Sequence, residues 1–143
     1  MIPADLPEQA AEIFVKEMLG GNLSAESTVT VCLVRLLGLI GKRSVRQAVE
    51  ERVEGIIRNE LRMTDRLCWC SPDTILIVAA TDLAGALQLM ARFREANVKF
   101  SQVAGGSLEV LWGLAVLRPE ETRSALELLQ EARQNLNRMI AAQ

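Results

Sequence analysis

A chain of 143 residues, 50% hydrophobic and 24% charged, carries enough apolar material for one packed domain and too little length for two ordinary ones. That composition excludes the disordered and disulfide-scaffold classes, and the apolar runs are broken by Arg or Gly before the ~20 residues of a membrane span. A net charge of −2 sets up no whole-molecule field for a nucleic-acid polymer. The absence of histidine and tyrosine removes the commonest general base and the commonest transition-metal ligand. The first residues lack the basic start and apolar run of a secretory leader, so a cytoplasmic domain is expected.

The first segment places Leu6, Ala10, Ile13, Phe14 and Met18 on one helical face and stops at Gly20-Gly21. Residues 1–22 are expected to form an N-terminal helix or connector, and 23–143 the folded domain. Thr28–Leu36 is β-branched and apolar at nearly every position, as a central strand covered on both faces requires. Val45, Ala48, Val49, Val53, Ile56, Ile57 and Leu61 recur at helical spacing. Arg66–Cys70 and Thr74–Ala79, separated by the turn formers Ser71-Pro72-Asp73, predict a β-hairpin. Asp82 is placed to cap a helix whose stripe is Leu83, Ala86, Leu87 and Met90, ending near Asn97.

Val98–Val103 and Leu108–Leu117 predict two more strands, joined through Gly105-Gly106. Pro119 is expected to open a last helix with Ala125, Leu128, Leu129, Ala132, Leu136, Met139 and Ile140 on one face. After the first helix, the order β-α-β-β-α-β-β-α contains the split β-α-β-β-α-β unit of ferredoxin-like sheets. The expected fold is therefore α+β, with a mostly antiparallel sheet, helices on one face, and the terminal helices available to cover the other.

Few residues offer catalytic chemistry. Glu50, Glu51, Glu54 and Glu60 fall on polar helix faces and read as solvated. Cys68 and Cys70 flank Trp69 and share one strand face; with Cys32 they make an odd number with no histidine to complete a zinc site. They are expected to pack as small buried hydrophobes, and no metal site is expected. The glycine pairs lack the flanking residues of a phosphate loop. Thirteen Arg against three Lys favour planar, bidentate recognition of phosphate or a guanine edge.

The most informative stretch is Arg62-Met-Thr-Asp65, followed after five residues by Ser71-Pro72-Asp73-Thr74-Ile75. From Arg62 through Val78 it resembles the block of RxxD, five residues, GGDEF and an apolar strand found in GGDEF domains, the family of diguanylate cyclases. Ala84–Arg94 is similar to the family's helix after the signature hairpin, and Leu108–Ala115 to its "vTvSiGvA" strand, so the resemblance covers roughly residues 28 to 140. It implies a GGDEF-type fold in a bacterial signalling protein.

The same resemblance implies lost catalysis. Ser71 and Pro72 stand at the signature's glycines, and only Asp73 remains of its acidic pair. Arg35 falls on the family's metal-binding aspartate, with Leu37 at the next alternate position. The segment between Arg35 and Arg62 lacks the family's substrate loop, and Ala132–Ile140 lacks the Tyr and Lys of its last helix. No enzyme activity and no cofactor are expected.

What is retained is the RxxD, in the family the inhibitory site for the product cyclic di-GMP. An Arg from the helix after the hairpin often joins it; here that is Arg92, with Arg94 a near alternative. The resemblance thus implies a ligand site of Arg62, Asp65 and Arg92, with Arg94 and Arg66 as secondary contributors; strand alternation directs Arg66 away from Asp65. Guanidinium groups suit the ligand's phosphates and guanine edges, and a carboxylate can accept from guanine N–H groups. The implied role is a receptor that relays the nucleotide to a protein partner, such as exopolysaccharide secretion machinery in biofilm formation, and a ligand dimer could link two copies. The rival readings are a ligand-independent interaction or dimerisation module with a vestigial RxxD, and residual cyclase activity.

Overall fold

The computed structural model describes residues 8–20, 28–37, 51–52, 54–55, 57–59, 61, 65–71, 74–95 and 109–142. Its strands are β1 (Val29–Leu37), β2 (Arg66–Ser71), β3 (Thr74–Ala79) and β4 (Glu109–Leu117); its helices are α1 (Glu8–Gly20), α2 (Leu83–Glu95) and α3 (Ala125–Ala141). Described residues between 51 and 59 are also helical. The strands form one antiparallel sheet in the order β2-β3-β1-β4. This is the α+β arrangement expected of a split β-α-β unit. The expected strand Val98–Val103 lies outside the described residues.

β1 is the central strand. It pairs with β3 from Thr30↔Ala79 to Arg35↔Thr74 and with β4 from Val29↔Leu117 to Leu37↔Glu109. Because successive side chains leave opposite faces, β1 divides the interior into two cores. Cys32, Val34 and Leu36 pack with Ile57 and with Leu89, Met90 and Phe93 of α2. Val29, Val31 and Leu33 pack with Ala11 and Val15 of α1 and with Leu128, Leu129, Ala132 and Leu136 of α3. The terminal helices therefore cover the second face of the sheet.

Three helices sit differently from the sequence expectation. α2 buries Ala86, Leu89, Met90 and Phe93, leaving Leu83 and Leu87 49% and 47% exposed. Phe93 is the largest side chain on that helix and sets its rotation. Asp82 does cap α2, its Oδ1 accepting from the Gly85 N–H at 2.8 Å. The last helix begins at Ala125, not at Pro119. Its N-terminus is held by a capping box in which the Ser124 side chain accepts from Glu127 N and Glu127 accepts from Ser124 N. That reciprocal pair outweighs proline's preference for a first helical turn. On α1, among the described side chains, Ala11 and Val15 are buried, while Ile13 is half-exposed. Among the described residues no helix is long and apolar enough to cross a membrane.

β4 and α3 touch backbone to backbone at Gly113. A Cβ there would meet the Ala132 carbonyl oxygen and the Leu136 backbone. Asn135 Nδ2 donates to the Leu114 carbonyl at 2.8 Å beside that contact. Gly113→Ala is expected to cost ~1–3 kcal/mol through overpacking, and Ser124→Ala about 1 kcal/mol through the lost cap. Urea denaturation checks both, as lowered midpoints at unchanged slope.

Candidate functional site

Asp65 stands immediately before β2, and its Oδ1 accepts the Ala80 N–H just beyond β3 at 3.1 Å. The carboxylate thus closes the open end of the hairpin. It also acts on the neighbouring strand. The Cys32 thiol, fully buried on β1, is pushed from 9.0 up to about 12, by burial first and by the negative charge of Asp65 second.

Arg66, the first residue of β2, is half-buried, and its Nη1 donates to the Asp65 main-chain carbonyl at 2.9 Å. Alternation turns Arg66 from the Asp65 carboxylate, yet the long side chain folds back on the Asp65 backbone. Arg92 and Arg94 both lie in the last turn of α2 and are exposed. The Arg94 guanidinium sits over the Trp112 ring of β4, 4.6 Å from its centroid, a cation–π contact. Arg92 lies nine residues past Leu83, roughly 14 Å along the helix axis at 1.5 Å per residue. Arg62 lies outside the described residues, as do Pro72 and Asp73.

At the closed end of the hairpin, Arg35 is half-buried on β1 and stands opposite Thr74, the first residue of β3, and Leu111 of β4. A guanidinium thereby occupies the strand position beside the turn. Trp69 of β2 donates its indole N–H to Glu54 Oε1 at 3.0 Å, and Arg58 pairs with the same carboxylate at 3.5 Å. Glu54 is therefore not the simple solvated charge its helix face suggests. Cys68 and Cys70 are half-buried at the margin of the α1–α3 core. A hydrogen bond with Cys70 lowers the Cys68 thiol against the opposing effect of burial. A cavity of about 390 Å³ is lined by Thr28, Asp82, Leu83, Val116, Arg118 and Pro119 among others; among the described residues, Asp65, Arg66, Arg92 and Arg94 are not in its lining.

No family model and no curated protein matches the chain. Solved structures do. The FimX GGDEF domain from Pseudomonas aeruginosa superposes with a TM-score of 0.75 at 11% identity, over 99% of this chain and 96% of that one. A microbial GGDEF domain described for its interaction with bis-cyclic di-GMP gives 0.71 at 17%, over 94% and 82%. The GGDEF domain of DgcB from Caulobacter crescentus, in complex with cyclic di-GMP, gives 0.68 at 12%, over 94% and 82%. The chain has the fold of GGDEF domains.

Within this GGDEF fold, the tie from Asp65 to Ala80 and the Trp69–Glu54 bond join residues fifteen apart. The only local signals were the polar tip of Trp69, which needs an acceptor when buried, and a carboxylate beside a strand end. Cys32 provides a direct check on the Asp65 environment. Its folded pKa is raised above the unfolded value, so its stabilising contribution is whole below pH 9 and declines as pH rises toward about 12. Urea midpoints from pH 8 upward are expected to fall less in Cys32→Val than in the wild type. Asp65→Asn is expected to move the onset of thiolate absorbance from Cys32 to lower pH.

Proposed function

We propose that this chain is a catalytically inactive GGDEF-fold receptor that binds cyclic di-GMP through Arg62, Asp65 and Arg92 and relays its level to a protein partner. The observation that carries this reading is the placement of the RxxD. Asp65 ends it directly before β2, and five residues separate it from the start of the Ser71–Ile75 stretch at the hairpin turn, the spacing that GGDEF domains use.

The chemistry supports it. Asp65 accepts from Ala80, and a carboxylate is an acceptor suited to guanine N–H donors. Arg92 is exposed toward the far end of α2. A ligand reaching both it and Asp65 must extend along the helix, as a molecule with two guanines and two phosphates does. Arg94, stacked on Trp112, and Arg66, turned to the Asp65 carbonyl, are secondary contributors. Inactivity is supported at the other end of the hairpin. Arg35 beside Thr74 puts a cation where Mg²⁺ would need oxygen ligands, and Ser71-Pro72 replaces glycines with a residue that lacks an N–H and one that carries a side chain. The likeness to domains solved with cyclic di-GMP agrees with the ligand class. Residues 1–22 serve in this reading as a connector to a neighbouring module.

The exposed Leu83 and Leu87, one turn apart on α2, favour a second reading, a protein-interaction module with a vestigial RxxD. Isothermal titration with cyclic di-GMP separates the two. Saturable heat is expected for the wild type, none for Arg62→Ala, and affinity at least about tenfold lower, ~1.4 kcal/mol, for Arg92→Ala. Asp65→Asn keeps an acceptor for Ala80 and is expected to fold while binding weakly. Silence at high micromolar ligand, or an unaltered Arg62→Ala isotherm, excludes the receptor. Cyclic dinucleotide formed from GTP and Mg²⁺ would overturn the inactive assignment.

A further inference from the structure

α2 carries an exposed apolar edge that neither core uses. Leu83 and Leu87 are 49% and 47% exposed, lie one turn apart and share a helix face. Ala91, exposed one turn further on, continues the row. Single exposed leucines are ordinary on protein surfaces, whereas neighbours at helical spacing form a patch. The residues that fix α2 to the domain are different ones, the buried Ala86, Leu89, Met90 and Phe93.

Charge is unevenly placed along the same helix. At its start, Asp82 and Glu120 are exposed and line one cavity with Leu83. Arg118 and Glu121 beside them offset each other as an ion pair at 4.0 Å, which leaves the carboxylates of Asp82 and Glu120 in excess. In the last turn Arg92 and Arg94 outnumber Glu95, and the Arg94 guanidinium is held by its stack on Trp112. The acidic and basic ends stand about 18 Å apart along the axis, at 1.5 Å per residue.

A helix with acid at one end, arginine at the other and leucines between is complementary to its own reverse. Turned about a two-fold axis beside Leu87, α2 of a second copy runs antiparallel, which also aligns the two helix dipoles favourably. Leu87 then meets Leu87 of the second copy, and Leu83 meets Ala91 of the second copy, a large side chain over a small one. Each Arg94 end comes to the Asp82/Glu120 end of the other helix. An isologous contact of this kind uses every interaction twice.

We propose that α2 is a self-association surface through which two copies of this chain pair antiparallel, with Leu83 and Leu87 at the centre and opposite charges at both ends. One thirteen-residue helix offers less than the ~1,200 Å² of a stable interface, so the pairing is weak and reversible, with a dissociation constant in the high micromolar range. It needs no nucleotide and stands apart from cyclic di-GMP binding.

Sedimentation velocity tests this on the full chain, reduced and without nucleotide, from ~10 μM to ~1 mM, a span that brackets such an affinity. The wild type is expected to pass from monomer toward dimer as concentration rises. Leu87→Arg sets like charges face to face at the axis and is expected to weaken pairing at least about tenfold, with a urea midpoint close to wild type because the position is exposed. Arg94→Glu is expected to weaken it about three- to tenfold, since both copies lose the contact. Adding Glu120→Arg to Arg94→Glu is expected to recover part of that loss, a response that a folding defect does not produce. A wild type that stays monomeric at ~1 mM, pairing indifferent to Leu87→Arg, or a double variant no better than Arg94→Glu overturns the proposal.

Discussion

The packing of this molecule follows from one strand that water reaches on neither face. β1 has a hydrogen-bonded neighbour on each side and an apolar layer above and below, so the parity of each residue number decides which layer it feeds. An alternating strand buried on one side only would leave half of its positions indifferent to sequence; β1 has almost no such freedom. Slipping the register by one residue would exchange the two cores wholesale. Arg35, half-buried beside the hairpin turn, is the one charged residue admitted to this strand.

Asp65 shows how one side chain can act both on the backbone and on a buried neighbour. Its bond to Ala80 fixes the geometry of the hairpin's open end, and its charge is felt by a thiol in the core. A residue held in this way presents its carboxylate in a defined direction, which lowers the ordering cost of any ligand it meets. The hairpin then has two chemically distinct ends: an anionic group at the open end and a guanidinium at the closed one.

Much of this was legible in the chain itself. The β-branched run of 28–36 announced a strand buried on both faces, and Ser71-Pro72-Asp73 announced the hairpin, because both signals are local and the covering layers agree with them. Rotation of α2 was misread because Leu83 and Leu87 are apolar by identity, while the sheet accepts the bulk of Phe93 instead. The start of α3 was misread because a proline and a capping box compete within a few residues, and the box satisfies two backbone donors where the proline merely lacks one. The RxxD was visible as a spacing. What it is anchored to was not, since Ala80 and Glu54 meet their partners across fifteen residues and no periodicity carries that information.

Strand β2 also answers a hazard that every open sheet faces. Among the described residues it is the outermost strand beside β3, so its outward backbone groups offer a template to any other extended chain. The strand is six residues long, begins with an arginine, and is broken in register between Trp69 and Ser71. Shortness, a charge and an irregularity are the devices by which natural sheets discourage edge-to-edge association. The irregularity that interrupts β2 thus guards the molecule against polymerising through the edge that follows Asp65 and carries Cys68 and Cys70.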